Sequence, residues 1–411
     1  MEEIEIPQYF ICPISLQLMK DPVTAVTGIT YDRESIEQWL MSAKLDTMIS
    51  CPVTKQPLQR DNWDLTPNHT LRRLIQAWCI ANATKGVDRI PTPKSSLDKT
   101  HVVKLVRELG VSRLCLSALK KMEELAMENE RNKSCMAEAG VAKEMCLLIM
   151  RFLREGRKAG LEEALRILRL IWSPKPELKN LVNENYDFID SLIWVLHCEI
   201  DNHVVVKAEA MLVLKMAIGV ANSSRLERLK LDFFKTIIMV LRGKICHSQQ
   251  AIKSALHVLI EACPWGRNRL KIVEAGAIFE LIELELENPE KNITELIFNV
   301  LSQLCSSADG RAEFLRHAGS MALVSKRILR VSSATDDRAI HILSLIAKFS
   351  ATNEVIQEML RVGAVTKLCM VMQADCAMYL KEKARGVLKL HSIVWNNSPC
   401  IAVYLLTRHQ R

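Results

Sequence analysis

Apolar residues recur at helical spacing along most of the chain. In one segment Leu256, Leu259 and Ile260 lie three and four residues apart, and Ile278 and Leu281 continue the pattern beyond the next glycine. Residues at this spacing share one face of an α-helix, so each segment predicts an amphipathic helix that buries one side. Because the same pattern extends through most of the sequence, we predict a mainly helical protein.

The helical pattern is also periodic over a longer distance. The segment EAGVAKEMCLLI recurs as EAGAIFELIEL, HAGSMALVSKRIL and RVGAVTKLCMVM, and two weaker copies fill the gap. Corresponding positions, 43–46 residues apart, are Gly140, Tyr186, Leu231, Gly276, Gly319 and Gly363. This period is typical of armadillo or HEAT repeats, and a glycine between two helices suits left-handed backbone geometry. We therefore predict an α-solenoid over residues 98–411, with room for about seven repeats.

The first 80 residues follow the pattern of a small mixed domain. A loop beginning at Cys12 precedes two short runs that meet at Thr27-Gly28, which predicts a β-hairpin. Asp32 opens the next helix, and a second loop begins at Cys51. A closing helix follows, and its apolar residues share the spacing of one helical face: Leu71, Leu74, Ile75, Trp78 and Cys79. The pattern predicts two loops around one central helix.

Residues 81–97 separate these two regions. The segment combines prolines, serines and a glycine with few apolar residues, which is typical of an exposed linker. Thr92 and Ser95 are candidate phosphorylation sites within it, although a spacer is the default interpretation. The predicted organisation is therefore a domain at residues 1–80, a linker at 81–97 and a solenoid at 98–411.

The composition agrees with a helical fold. The chain has 411 residues, with 14 Gly, 13 Pro and 5% aromatic residues, where average usage would give about 29 Gly and 21 Pro. This shortage of turn-forming residues argues against a β-sandwich. No run of 18 or more uncharged apolar residues occurs, and the start MEEIEIPQYF lacks the features of a signal peptide. We expect no integral membrane segment and a cytoplasmic location, with the nucleus as a second location.

The charge distribution bears on the class of partner. The net charge is +8, and residues 1–80 contribute −3, so that the rest of the chain carries +11. These basic residues lie among acidic ones and do not form a basic run with interleaved aromatics, so we expect no nucleic-acid binding. A nuclear-import groove would need Trp and Asn at one position of successive repeats, which Trp172, Trp194, Trp265 and Trp395 do not provide. A protein partner remains.

Loops that begin Cys-Pro raise the question of a zinc site. A cross-braced zinc domain needs about eight Cys or His ligands in short pairs, whereas residues 1–80 offer only Cys12, Cys51, Cys79 and His69. The thirteen cysteines of the chain have no regular spacing, so reduced thiols are favoured over disulfides. We expect no metal and no cofactor. Hydrogen bonds and ion pairs must then hold the loops, and the candidates are Ser15, Lys20, Asp21, Asp32, Arg33 and Glu34.

The motifs of the first 80 residues resemble the U-box of ubiquitin ligases, a metal-free RING-like α+β domain. The segments CPISLQLMKDPV, TGITYDRESIEQWL, CPVT and LTPNHTLRRLIQAWC occur in the order and spacing of that family. Together with armadillo-type repeats, the chain resembles the plant U-box/armadillo-repeat ubiquitin ligase family, in particular its defence- and stress-related branch. The implied fold class is predominantly α, with a small metal-free RING-like U-box followed by an α-solenoid of armadillo-type repeats.

The resemblance implies a RING-type E3 ubiquitin transferase without a covalent catalytic residue of its own. By motif position, Ile14, Leu16, Trp39 and Pro52 would bind a ubiquitin-charged conjugating enzyme. Lys55 stands where many relatives carry an arginine that hydrogen-bonds ubiquitin and the conjugating enzyme together, and lysine lacks the planar fork for that contact. Residues with structural roles in the U-box would be Cys12, Asp32, Glu34 and Cys51. Trp39 and Lys55 also have plain alternatives, as a core residue and a surface residue.

Two functional hypotheses remain. In the first, the chain is a ligase whose repeats bind a protein substrate, in the regulation of plant immune or stress signalling. In the second, it is a non-catalytic armadillo-repeat scaffold. The presence of Ile14, Trp39 and Pro52 favours the ligase. The substrate, the conjugating enzyme, the type of ubiquitin chain and the formation of a homo- or heterodimer stay open.

Overall fold

A computed structural model of the chain describes residues 6–42, 50–57, 65–83, 87, 97–199, 203–246, 248–396, 398–399 and 401. It divides into two compact units, Met1–Ser96 and Leu97–Arg411. Most of the predicted linker, including Thr92 and Ser95, lies outside the described residues. The two units are described separately below.

The described part of the first unit contains a small antiparallel sheet, a short 3-10 helix at Gln8–Phe10 and two α-helices. Its strands are β1 (Pro22–Thr24), β2 (Thr30–Asp32) and β3 (Thr66–Pro67), in the order β2-β1-β3, and its α-helices are α1 (Arg33–Ser42) and α2 (His69–Ala81). The predicted hairpin is confirmed, because Gly28 adopts a φ of +79° at the turn and donates to the carbonyl of Ala25 at 2.8 Å. The sequence pattern did not predict β3, which is only two residues long.

In the described part of the first unit, ten buried residues form the core. They are Cys12, Met19, Val23, Ala25, Tyr31, Ile36, Leu40, Cys51, Ile75 and Cys79. The predicted apolar face of α2 is correct except at Leu74, which is 54% exposed. The buried face is centred on Ile75 and Cys79, and each residue turns the helix by about 100°, so Leu74 points away from it.

The second unit is helical throughout the part that the structure describes. Its helices are α3 (Lys99–Leu109), α4 (Ser112–Glu128), α5 (Glu130–Glu138), α6 (Val141–Glu155), α7 (Leu161–Leu170), α8 (Pro176–Glu184), α9 (Tyr186–His197), α10 (His203–Val220), α11 (Ser223–Glu227), α12 (Leu231–Leu241), α13 (Gln249–Ala262), α14 (Asn268–Glu274), α15 (Ala277–Leu286), α16 (Lys291–Leu304), α17 (Ala308–Arg316), α18 (Ser320–Arg327), α19 (Ser333–Phe349), α20 (Asn353–Arg361), α21 (Ala364–Gln373), α22 (Met378–Leu390) and α23 (Ser392–Trp395). None of these helices is both long and apolar enough to cross a membrane.

These helices form the predicted repeats. Six three-helix repeats run from α4 to α21 within the described residues, and α22 and α23 follow them. Each third helix begins at or directly after a position predicted from the period. Gly140, Gly276 and Gly363 have the expected positive φ, but Gly319 does not, with a φ of −89°. There the chain reverses two residues earlier, through extended backbone at His317, so the prediction of left-handed geometry is wrong for this repeat.

Neighbouring repeats bury one another's apolar faces. Each first helix packs on the first helix of the next repeat, from α7 on α10 to α19 on α22, and the third helices stack in the same way from α6 to α21. One continuous core of buried residues results, from Val102 to Trp395. This is the expected arrangement for repeats that cannot bury their apolar surface alone.

Part of the basic excess of the second unit is used inside the fold. Arg225 donates to the carbonyl of Tyr186 at 2.8 Å, and Arg311 donates to that of Cys305 at 3.1 Å. Lys271 similarly donates to the carbonyl of Leu229. The carbonyl of Cys305 directly follows α16, where carbonyls lack a partner within their own helix, so Arg311 satisfies it.

Candidate functional site

The two Cys-Pro loops of the first unit have the same backbone structure. In the loop at residues 12–17, the N–H of Cys12 donates to the carbonyl of Gln17 at 2.8 Å, and that of Leu16 donates to the carbonyl of Cys12 at 2.9 Å. The loop at residues 51–56 repeats both bonds at 2.8 and 3.0 Å. The sequences CPISLQ and CPVTKQ already carry this signal, with Cys-Pro first, Ser or Thr fourth and Gln sixth.

This equivalence assigns matching positions to the predicted site residues. Ile14 corresponds to Val53, Pro52 to Pro13 and Lys55 to Leu16. Leu16 and Lys55 have φ values of +56° and +60°, a left-handed conformation that costs a side chain about 1–2 kcal/mol. Leu16 is nevertheless 76% exposed and Val53 is 49% exposed, while Ile14 and Pro52 are half-buried. Both loops therefore hold apolar side chains at the surface, at a cost in backbone strain.

Trp39 links the central helix to the second loop. Its indole Nε1 donates to the carbonyl of Ser50 at 3.2 Å, directly before Cys51, and the side chain is 41% exposed. The neighbouring apolar residues of α1, Ile36 and Leu40, are buried. Trp39 therefore lies at the edge of the core, with much of its ring accessible. We call Ile14, Leu16, Trp39 and Pro52 the apolar platform.

The sulfur atom of Cys51 is the centre of a hydrogen-bond cluster beneath the second loop. It lies 2.9 Å from the Tyr31 hydroxyl and 3.4 Å from the Thr27 hydroxyl, and it accepts the Thr54 N–H at 3.4 Å. Burial raises the pKa of the Cys51 thiol, but the hydrogen bonds from Thr27, Thr54 and Tyr31 outweigh burial and lower the pKa to about 6. Burial and the contact with Cys51 raise the pKa of Tyr31.

The sulfur atom of Cys12 occupies the corresponding place in the first loop. It accepts the N–H of Asp32 at 3.3 Å, and the residue is fully buried. Burial raises the pKa of this thiol, and hydrogen bonds from Ser15, Asp32 and Ile14 lower it by more. The two thiols thus accept donors at the centres of the two loops.

Two aspartates attach the segment between the first loop and β1 to the rest of the unit. One carboxylate oxygen of Asp32 accepts the backbone N–H groups of Lys20 at 2.7 Å and Asp21 at 2.9 Å. Burial raises the pKa of Asp32, and the Lys20 N–H and nearby cations counteract this. The carboxylate of Asp21 pairs with Arg33 at 2.7 Å and with Arg72 of α2.

Glu34, for which the sequence predicts a structural role, has different surroundings from Asp32. Glu34 is exposed on the first turn of α1 and makes no hydrogen bond or ion pair with any residue that the structure describes. Arg72, Thr27 and Tyr31 supply contacts that the sequence interpretation missed, because each of them meets a partner distant along the chain. Within the described ranges, no group of three or more His, Cys, Asp or Glu side chains could hold a metal ion.

Comparisons with known proteins agree with this architecture. Residues 6–84 match the family described as U-box domain, and residues 101–411 match the plant U-box protein ARM repeat region. The chain is 45% identical to E3 ubiquitin-protein ligase PUB24 of Arabidopsis thaliana, over 99% of this chain and 96% of that protein. It is 44% identical to E3 ubiquitin-protein ligase PUB23 of the same plant, over 97% of this chain and 96% of that protein.

Solved structures with a similar fold cover most of the chain. An engineered protein matches with a TM-score of 0.53 at 18% identity, over 72% of this chain and 68% of that one. A chain from a structure describing a phosphorylation switch between cadherin and beta-catenin matches with a TM-score of 0.50 at 12% identity, over 79% and 66%. At these identities the similarity shows the fold alone. Since the family matches span both units, the chain belongs to the plant U-box/armadillo-repeat ubiquitin ligase family.

Proposed function

We propose that this U-box ubiquitin ligase recruits a ubiquitin-charged conjugating enzyme through the apolar platform and binds its protein substrate through the armadillo repeats. The observation that carries the proposal is the exposure of Leu16 and Trp39, which are 76% and 41% accessible on two elements fixed by hydrogen bonds. A few apolar anchors on a rigid support suit a transient interface of modest size.

In this mechanism the first unit positions the charged conjugating enzyme and makes no covalent bond to ubiquitin. The conjugating enzyme carries the thioester, and a substrate amine attacks its carbonyl carbon, so that the thiol of the conjugating enzyme leaves. Holding the thioester and the amine together replaces a bimolecular encounter with an oriented reaction. The hydrogen bonds around Cys12 and Cys51 keep both loops in shape for this task.

Lys55 is proposed as the donor that holds ubiquitin against the conjugating enzyme. It is exposed, and its left-handed backbone is fixed by the N–H bond to the Cys51 carbonyl at 3.0 Å. Because an ammonium group is a point donor, it gives less geometric restraint than the guanidinium fork of arginine.

The biological setting is part of the proposal. We propose that the protein acts in the cytoplasm, and also in the nucleus, to regulate plant immune or stress signalling. The sequence similarity to PUB24 and PUB23 supports a plant setting. Plants that lack the protein should show altered immune or stress responses, and unchanged responses would contradict this role.

A reconstituted ubiquitination reaction tests the enzymatic proposal. It would contain activating enzyme, a panel of conjugating enzymes, ubiquitin, ATP and the full chain as wild type, Ile14→Ala, Leu16→Ala or Trp39→Ala. We expect wild type to form a ladder of self-modified products and the three variants to lose it. Leu74→Ala is the matched control, because Leu74 is an equally apolar, 54% exposed residue of the same unit outside the platform.

Circular dichroism and thermal melts would show that each variant is folded. A ladder that survives in folded Leu16→Ala and Trp39→Ala would contradict the platform. If no conjugating enzyme in a broad panel binds wild type or yields a ladder, the protein is a scaffold, the alternative that the sequence left open.

A further inference from the structure

The third helix of the fourth repeat, α15, exposes two large apolar side chains. Phe279 is 55% exposed and Leu286 is 49% exposed. They are seven residues apart with Glu283 between them, so the three lie along one face of the helix. Glu287 follows on the same side and is also exposed. We call Phe279, Glu283, Leu286 and Glu287 the α15 surface.

The chain between α17 and α18 supports this surface. The ring of His317 lies 5.1 Å from that of Phe279, and its Nε2 is 2.9 Å from a carboxylate oxygen of Glu283. The other ring nitrogen, Nδ1, accepts the Gly319 N–H at 3.1 Å, so Nε2 is the nitrogen that carries a proton for Glu283. Leu286 lies beside Gly319, 3.9 Å from the place where a Cβ would stand. The apolar and acidic side chains are therefore oriented before any partner arrives.

All charged residues of α15 and of the turn after it are acidic. The helix and the turn after it contain five glutamates and no Lys or Arg, at positions Glu280, Glu283, Glu285, Glu287 and Glu290. Three of the five pair with cations on or directly after other helices: Glu280 with Arg242 at 2.7 Å, Glu285 with Arg327 at 2.5 Å and Glu290 with Lys253 at 2.9 Å. Within the described part of the chain, Glu283 and Glu287 have no Lys or Arg partner.

The third helices on either side do not continue this acidic charge. The preceding one, α12, carries one aspartate and one lysine, and the following one, α18, carries Lys326 and Arg327 and no acidic residue. Within the described residues, α15 is therefore the one of these three helices with carboxylates that lack a Lys or Arg partner, and it also exposes two large apolar side chains. An exposed apolar patch with polar groups around it is the usual composition of a protein-binding surface.

We propose that the α15 surface binds a segment of the substrate in which basic residues alternate with apolar ones. The inference rests on the proposed substrate-binding role of the repeats and names the chemistry that they select. Phe279 and Leu286 hold the apolar side chains of that segment, and Glu283 and Glu287 pair with its Lys or Arg residues. The carboxylates repel acidic segments, which gives selectivity beyond that of the apolar contact.

Fluorescence anisotropy with three synthetic peptides tests the proposal on the full chain. The first peptide alternates Arg and Leu, the second replaces Arg by Glu, and the third replaces Leu by Ser. We expect only the first to bind with measurable affinity, because it alone supplies both chemistries. Joint replacement by Phe279→Ala and Leu286→Ala should weaken its binding by about tenfold or more, and Glu283→Gln with Glu287→Gln should weaken it and reduce its salt dependence.

Phe349→Ala is the matched control, since Phe349 is 56% exposed on α19, outside the third helices. It should bind the first peptide as wild type does. The proposal is overturned if the double alanine variant keeps full affinity or if the acidic peptide binds equally well. It is also overturned if sedimentation shows a wild-type oligomer that the double variant dissociates, because the occupant would then be a second copy of this chain.

Self-modification separates this inference from the proposed function. A folded double alanine variant that keeps the self-ubiquitination ladder but loses the peptide supports the α15 surface. If the wild-type chain binds the peptide as expected but forms no ladder, the result supports the α15 surface and contradicts the proposed ligase mechanism.

Discussion

The same side chain, cysteine, meets opposite surroundings in the two units of this protein. In the U-box unit, hydrogen bonds to Cys51 outweigh its burial and lower the pKa of its thiol to about 6. In the solenoid, Cys146 and Cys305 lie among apolar side chains, and burial raises the pKa of both thiols. The first environment directs several hydrogen-bond donors at sulfur, whereas for the two solenoid thiols burial outweighs the polar groups of the described residues.

This difference reflects how each unit compensates the entropy lost on folding. The U-box unit has ten buried apolar residues in its described part, few for two helices and a sheet. Small domains of this kind need stabilising interactions in addition to their apolar core. In the U-box unit these interactions are the hydrogen bonds and ion pairs of Asp21, Asp32 and Cys51. The solenoid instead adds one apolar interface with every repeat. We therefore expect polar substitutions to damage the U-box unit and apolar truncations to damage the solenoid.

The largest expected effect is a core truncation in the solenoid. Phe298 of α16 is fully buried, and Phe298→Ala should lower the free energy of unfolding by about 3–5 kcal/mol. Hydrogen exchange followed by mass spectrometry would measure it, since this method reports peptides of both units separately. Loss of protection should be confined to the solenoid and strongest near α16.

Phe279→Ala is the control for that experiment, because it removes the same side chain from the exposed face of the adjacent helix. We expect a change of about 0.5 kcal/mol or less. Equal effects of the two substitutions, or a loss of protection in the U-box unit, would contradict the idea that apolar burial is the main support of the solenoid.

The second effect is a dependence of U-box stability on pH. The pKa of Cys51 falls from 9.0 to about 6 on folding, so the folded state favours the thiolate. The resulting stabilisation is complete above pH 9 and is lost as the pH falls towards 6. In the solenoid the sign is reversed for Cys305, because burial raises the pKa of its thiol to about 12 and the folded solenoid therefore loses stability as the pH rises above 9.

Thiolate absorbance in the ultraviolet measures this prediction directly. The difference in absorbance between wild type and Cys51→Ser should titrate near pH 6, and Cys51→Ser should remove the corresponding slope in U-box stability. Cys305→Ser is the control and should leave the absorbance unchanged below pH 9. Titration of Cys51 near its ordinary pKa would show that Thr27, Thr54 and Tyr31 do not stabilise the anion.

Ion pairs should give the third effect. Asp21→Asn removes the charge that pairs with both Arg33 and Arg72, and the Nε of Arg72 already lies buried without a hydrogen-bond partner among the described residues. We expect the free energy of unfolding of the U-box unit to fall by about 1–3 kcal/mol. Glu34→Gln, which alters an exposed carboxylate of the same unit, should change it by about 0.5 kcal/mol or less. A larger effect at Glu34 than at Asp21 would support the structural role expected for Glu34.

How far the sequence predicts each unit follows from the range of the interactions. The helical period locates the third helices to within one residue, because every repeat contributes the same local signal. The helix after Gly319 begins where this signal predicts, but Gly319 lacks the expected left-handed geometry because His317, two residues earlier, takes the extended conformation. The exposure of Leu74 was not predicted either, because the apolar spacing of α2 does not define which edge of its apolar face meets the core. The bond between Tyr31 and Cys51 and the pair of Asp21 with Arg72 depend on folding, and neither has a local signal.

The smallest expected effect concerns the rate of ubiquitin transfer. Lys55→Arg should speed discharge of ubiquitin from the conjugating enzyme by about two- to fivefold, because a guanidinium fork offers paired hydrogen bonds where lysine offers a point charge. Lys55→Gln should slow it, while the affinity for the uncharged conjugating enzyme stays constant in both variants. The discharge rate onto free lysine, compared with that affinity, is the measurement. If both variants discharge ubiquitin at the wild-type rate, Lys55 is a surface residue, and its left-handed conformation serves the loop in the way that the conformation of Leu16 does.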